Sequence, residues 1–129
     1  MTKAELAVSK YRNGYNCCQA VACSFAEEVG IDESVLFKMC EAFGAGMGTG
    51  RAVCGAMSGV AILTGLVNSN GDIEHPGQTK AMSTRTAGQL LGEFEKKVGA
   101  IYCKDIKAEQ KTSCADCIAN AVEIVEKII

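Results

Sequence analysis

The sequence has no tryptophan, one proline and one histidine, and only 5% of its 129 residues are aromatic. The single imidazole, His75, stands beside Pro76 in a polar stretch, and nothing nearby would bring a nucleophile to it. Ser/His/Asp and Cys/His hydrolysis therefore has no support, and His75 is expected to be an exposed loop residue. An excess of charge of one sign is also missing, since 13 Lys+Arg face 15 Asp+Glu for a formal charge of -2. A nucleic-acid binder would carry a basic footprint, so that class is set aside. The phosphate-loop pattern G-x-x-x-x-G-K-[ST] is absent. Gly46-x-Gly48-x-x-Arg51 lacks both the third glycine and the preceding strand of a dinucleotide fingerprint.

A long hydrophobic run is lacking too. Ala52 to Val67 is uncharged but only 16 residues long, short of the roughly 20 needed to cross a bilayer. Its Gly55, Gly59 and Gly65 favour a buried central helix in close packing. The opening residues Met1-Thr2-Lys3-Ala4-Glu5 do not have the basic and apolar regions of a secretory leader. A cytoplasmic, reducing setting is the expectation, with no membrane span. No linker, low-complexity tract or repeat divides the chain, so residues 1–129 are expected to form one domain.

What the sequence has in abundance is small residues and sulfur: 14 Gly and 8 Cys. In a reducing compartment such a chain points to metal binding or redox chemistry before a disulfide scaffold. The pattern of apolar residues is helical throughout. Ala4, Ala7, Val8 and Tyr11 form one stripe, closed by Asn13-Gly14. Asn16, three before Gln19, caps a second helix that begins at Cys17 and Cys18, carries Val21, Ala22, Phe25 and Val29, and stops at Gly30. Asp32 caps a third with Val35, Leu36, Met39, Cys40 and Phe43 inward. Glycines at 44, 46, 48 and 50 make a loop. A fourth helix runs from about Arg51 to Asn68, and a fifth from about Gln78 to Val98 with Ala87, Leu90, Leu91, Phe94 and Val98 as its core face. After the short segment Ala100 to Ile106, Ser113-x-x-Asp116 opens a last helix with Ile118, Ala121, Val122, Val125 and Ile129 apolar. The expected fold is all-α, a compact single-domain bundle of about five to six helices with a glycine-rich loop before the central one.

Cys17, Cys54 and Cys114 then fall at three helix starts, where unpaired N–H groups and the macrodipole favour thiolate over thiol. Arg51 before Cys54 and Lys104 beside Cys103 are candidate cationic neighbours. Cys18, Cys23 and Cys40 are expected to be packing residues. Cys114-x-x-Cys117 has the spacing of a dithiol pair, but no βαβ context precedes it and no second pair completes a zinc motif.

Gly14-Tyr15-Asn16-Cys17, the glycine loop leading to Cys54-Gly55-Ala56-Met57-Ser58-Gly59, then Gly99-x-x-x-Cys103 and Cys114, occur in an order that resembles the C_GCAxxG_C_C family, whose members are proposed to be redox-active. The resemblance spans nearly the whole chain and implies that Cys17, Cys54, Cys103 and Cys114 are its four defining cysteines, the set that would act catalytically or hold a cofactor or metal. Cys18 stands where that family often has a small residue. Cys117 is an additional cysteine and an alternative fourth ligand. A similar cysteine-bearing module in split-Soret cytochromes adds an iron–sulfur site to what the resemblance implies.

Three chemistries follow for a convergent four-cysteine site. It could hold an iron–sulfur cluster for electron transfer, exchange a dithiol with a disulfide without any metal, or form a structural zinc site with four cysteine ligands in a non-catalytic binding or adaptor domain. The first two make the chain an oxidoreductase and call for a redox partner protein.

Overall fold

The structure is a computed structural model and describes residues 1–109 and 112–129. Thr2 caps the first helix, α1 (Lys3–Arg12), through a reciprocal box with Glu5: the Thr2 hydroxyl accepts from the Glu5 N–H and the Glu5 carboxylate from the Thr2 N–H. Asn16 and Gln19 make the expected box at the start of α2 (Cys17–Cys23). The second expected helix does not continue to Val29. The Ser24 hydroxyl donates to the Ala20 carbonyl, Phe25 leaves helical backbone geometry, and a separate turn, α3 (Ala26–Val29), ends at Gly30 with φ 70°. A serine that bonds back to the preceding turn competes with the helix ladder in this way.

Asp32 caps α4 (Glu33–Cys40) as expected, and a 3-10 turn, Glu41–Phe43, follows it. Only Leu36 and Cys40 of α4 are buried, whereas Val35 and Met39, expected inward, are each 47% exposed. A short helix resting on one neighbour buries a single narrow stripe, and positions one step off that stripe turn to solvent. The glycine loop is wound tightly. Ala45, Gly46, Met47, Gly48 and Gly50 all have positive φ, and the π-type turn Gly46–Gly50 is non-helical at Met47 and Gly48.

The central helix is α5 (Gly55–Asn68), which starts four residues later than Arg51. It lies against α2, α6 (Lys80–Val98) and α8 (Cys114–Val125), while α1 packs on α8 and α2. The amphipathic face of α6 buries Leu90, Phe94 and Val98, with Ala87 and Leu91 at its margin. Ser113 caps α8 by accepting from the Asp116 N–H, as the S-x-x-D pattern predicts. Ile118, Ala121, Val122 and Val125 are fully buried, but Ile129 lies past the helix end and is 39% exposed. Between α6 and α8 the stretch expected only as a short segment contains α7 (Cys103–Ala108).

The described residues thus hold eight α-helices where five to six were expected. The difference comes from the break at Ser24 and the helical turn at Cys103. The all-α class stands, with one isolated antiparallel bridge between Val53 and Tyr102. Among the described residues no helix is long and apolar enough to cross a membrane. His75 is exposed, its ring 2.8 Å from the Asp72 carboxylate.

The small residues of α5 position the site. A Cβ at Gly59 would lie 3.0 Å from the Cys18 carbonyl and 3.1 Å from Val21 Cβ, so this face of α5 admits the backbone of α2. At Gly55 a Cβ would strike the Cys17 sulfur and the Phe43 carbonyl.

Candidate functional site

Four helices begin with cysteine at one place in the fold. Cys17, Cys103 and Cys114 are the first residues of α2, α7 and α8, and Cys54 is the residue that precedes α5 in the N-cap position. The bridge at Val53 and Tyr102 joins two of them: the Cys54 N–H donates to the Ile101 carbonyl at 2.7 Å and the Cys103 N–H to the Ala52 carbonyl at 3.1 Å. Glycine at 46 clears the approach of Cys103, because a Cβ there would sit 2.7 Å from Cys103 Cβ. Glycine at 44 does the same for Asn16, whose side-chain amide donates to the Glu41 carbonyl and holds the turn before the loop onto the start of α2.

The result is a cavity of about 170 Å³ whose wall includes Cys17, Cys54, Cys103, Cys114 and Cys117, together with Tyr11, Asn16 and Lys107. Cys17 and Cys114 keep partial contact with solvent, while Cys54, Cys103 and Cys117 are buried. The structure brings all four sequence-selected cysteines, and the alternative Cys117, to one wall. Cys18, Cys23 and Cys40 lie in the core and do not line the cavity.

The thiols are not equivalent. The Cys117 thiol donates to the Cys54 sulfur, and this bond, with the Ala56 and Met57 N–H groups and the Lys107 ammonium, brings the Cys54 pKa down to about 7 against the opposing effect of burial. No side-chain capping hydrogen bond closes at Cys54. Cys117 is pushed up, first because its proton is held in the bond to Cys54 and then by burial. Burial also raises Cys17 and Cys103, opposed by the Ala45 N–H at the first and by Lys107 at the second. Tyr11 is hydrogen-bonded to Cys114, which together with burial raises the phenol.

The cationic neighbours differ from those expected. Arg51, Lys104 and Lys107 are all exposed, but of the three it is Lys107 that lines the cavity and acts on Cys54 and Cys103. Its signal lies in the sequence: four residues after Cys103 on a helix places it over the same face. Tyr11, assigned to the apolar stripe of the first helix, gives no such signal. Lys107→Ala is expected to raise the Cys54 pKa and to slow its alkylation at pH 7 by about two- to fivefold, through lost charge stabilisation of the thiolate. Alkylation rates of the two proteins across pH check this, and equal rates would remove Lys107 from the account.

The donor set suits soft metals, since five sulfurs face one space. A single tetrahedral zinc site draws four sulfurs to within about 3.8 Å of one another, given Zn–S bonds of about 2.3 Å. Among the described residues no three His, Cys, Asp or Glu side chains are grouped to hold one ion, so the arrangement does not fit that site. A cluster takes one or two thiolates per iron around a larger centre, and the cysteines lining the cavity are the residues that would hold one.

Compared with known proteins, the chain matches the family described as "Putative redox-active protein (C_GCAxxG_C_C)" over residues 15–128, and it belongs to that family. No curated protein and no solved structure matches it.

Proposed function

We propose that this member of the C_GCAxxG_C_C family is a thiol–disulfide redox protein in which Cys54 attacks and Cys117 resolves. The observation that carries the reading is the placement of that pair at the cavity wall, Cys54 at the start of α5 and Cys117 in the first turn of α8, with Lys107 lining the same cavity; in keeping with it, Cys54 is pushed down and Cys117 up. A nucleophile poised near ambient pH is the effective attacking thiol, because thiolate fraction and intrinsic nucleophilicity trade against each other.

The Cys54 thiolate attacks one sulfur of a partner disulfide and forms a mixed disulfide, and the released partner thiolate takes a proton from water. Cys117 then loses its proton and attacks the Cys54 sulfur. The Cys54–Cys117 disulfide closes and the second partner sulfur leaves with a proton. Two protein thiols are oxidised and one partner disulfide is reduced. Lys107 favours the anionic sulfur before and after each transfer. The glycines at 46 and 55 keep Cys103 and Cys17 close beside it, as further thiols that can exchange with the pair.

A second reading rests on a different observation, the cavity itself. Cys17, Cys54, Cys103 and Cys114, with Cys117 as the alternative fourth ligand, would hold an iron–sulfur cluster, which when bound supplies one-electron transfer. Zinc in an adaptor domain has no observation in its favour. The deciding sample is protein purified without oxygen and divided for an ultraviolet–visible spectrum with metal analysis and for reaction with one equivalent of glutathione disulfide. The dithiol reading expects metal-free protein to form the Cys54–Cys117 disulfide. Visible charge-transfer bands with stoichiometric iron, and no crosslink until the iron is chelated, would replace it with the cluster.

A further inference from the structure

The three cysteines that the cavity does not use lie together in the seam between α2 and α4. Two hydrogen bonds fix how these helices face each other: the Gln19 side-chain amide donates to the Phe37 carbonyl at 3.0 Å, and the Cys23 thiol to the Glu33 carbonyl at 3.8 Å. Four residues forward along α2 thus correspond to four residues back along α4, so the helices run antiparallel. On α2, Gln19 and Cys23 lie one turn apart on one helical face with Cys18 beside them, and on α4, residues 33, 37 and 40 lie on another. The Asn16 side-chain amide reaches the Glu41 carbonyl just past the end of α4, so segment 16–19 at the start of α2, which carries Cys18, faces segment 37–41, which carries Cys40. Both cysteines are fully buried. Cys23 is already engaged with the Glu33 carbonyl.

We infer that Cys18 and Cys40 form a second dithiol/disulfide pair, a modification site distinct from the cavity, whose oxidation ties α2 to α4. The pairing stands on the facing of the two helices and on burial, with the opposite displacement of the two thiols, Cys18 upward and Cys40 downward, in support, and it does not depend on the reading of the cavity. The oxidant it admits is small, a hydroperoxide. The Cys40 sulfur takes the terminal oxygen of the peroxide to give a sulfenic acid and releases an alcohol, or water from hydrogen peroxide. The Cys18 thiol then attacks that sulfur, the disulfide closes, and water leaves. Two thiols are oxidised, one peroxide bond is reduced, and an external dithiol reverses the step. Because Asn16 and Cys17 begin α2, the crosslink also pins the end of α2 that carries a cavity thiol.

Peptide mapping of the full chain tests this directly. Cleavage after Arg12, Lys38 and Arg51 puts Cys40 alone in peptide 39–51, with Cys17, Cys18 and Cys23 in peptide 13–38 and Cys54 in peptide 52–80. Reduced protein is treated with hydrogen peroxide and alkylated. The inference expects loss of Cys40 alkylation and a crosslink between peptides 13–38 and 39–51, with fragmentation assigning it to Cys18. Cys40→Ala should abolish that crosslink and leave the one between peptides 52–80 and 112–127, which fragmentation should assign to Cys54 and Cys117 rather than Cys114. Full alkylation of Cys40 after peroxide, or its linkage to a cavity peptide, would overturn the inference. Loss of only the crosslink between 52–80 and 112–127 would count against the cavity dithiol and leave the second pair standing.

Discussion

Cys54→Ser is expected to lower the rate of thiol–disulfide exchange at least about a thousandfold, the scale on which removing a covalent nucleophile acts. The replacement swaps a sulfur for a smaller oxygen at the N-cap of α5, a position where serine is well tolerated. Its melting temperature should therefore stay close to that of the parent chain. The hydroxyl is not ionised near pH 7 and does not attack a disulfide, so exchange fails while the fold remains. Cys117→Ser gives the complementary result. Cys54 still attacks, but nothing resolves the intermediate, and the mixed disulfide with the partner should accumulate as a stable adduct visible by intact mass. If Cys54→Ser retained half or more of the parent rate in a chromogenic disulfide assay, the attacking thiol would be another of the five.

Gly55→Ala should carry a large cost to stability for a change of one methyl group. The added methyl would meet the Cys17 sulfur, the Phe43 carbonyl at 3.0 Å and the Cys18 N–H nitrogen at 3.5 Å. Two of these are backbone atoms, which cannot turn aside. Overpacking of this kind costs about 1–3 kcal/mol, and here it must also push α2 away from α5 or drive the Cys17 side chain from its place. Gly59→Leu meets the same seam one turn later, against the Cys18 carbonyl and Val21, and belongs at the upper end of that range. By contrast, a Cβ at Gly88 or Gly92 on α6 has nothing within 4 Å. Alanine there should stabilise by about 0.5–1 kcal/mol, because alanine is the better helix former. Thermal melts of the four variants check the contrast, and a Gly55→Ala protein as stable as the parent would mean that α2 does not need this close approach.

The helix class, the caps at Asn16, Asp32 and Ser113, and the start of three helices at cysteine were legible because each depends on local chemistry. A side chain bonding to a free N–H three residues on leaves a mark within four residues of sequence. The break at Ser24 was not legible. It depends on the hydroxyl turning back to Ala20 and on Phe25 seeking the core, a tertiary choice that the apolar stripe through Val29 conceals. Val35 and Met39 were misplaced for a related reason, since periodicity gives an apolar face but not how much of it a neighbour covers.

Around the cavity the cysteines themselves were legible, and their environment was not. Arg51 and Lys104 are near in sequence yet do not line the cavity, whereas Lys107 reaches the thiols because residues 103–108 are helical, a turn that the short apolar segment did not announce. Cys117 stood out as an extra cysteine. Its role as donor to Cys54 needs the packing of α8 against α5, which joins residues far apart in the chain. The glycines follow the same division. Their number was visible at once, while the particular sulfur and carbonyl that require Gly55 appear only when α2 is laid on α5.

The central claim is that Cys54 is held as a thiolate near neutral pH while Cys17, Cys103 and Cys117 are not. It is tested most directly by alkylating reduced, metal-free protein across a range of pH and reading each cysteine by mass spectrometry. Cys54 ionises as pH rises through its lowered pKa, so its rate should climb to a midpoint at about 7 and then level off. Cys17 and Cys103, raised by burial, should still be gaining reactivity well above that pH. A Cys54 midpoint at or above that of Cys103 would contradict the account.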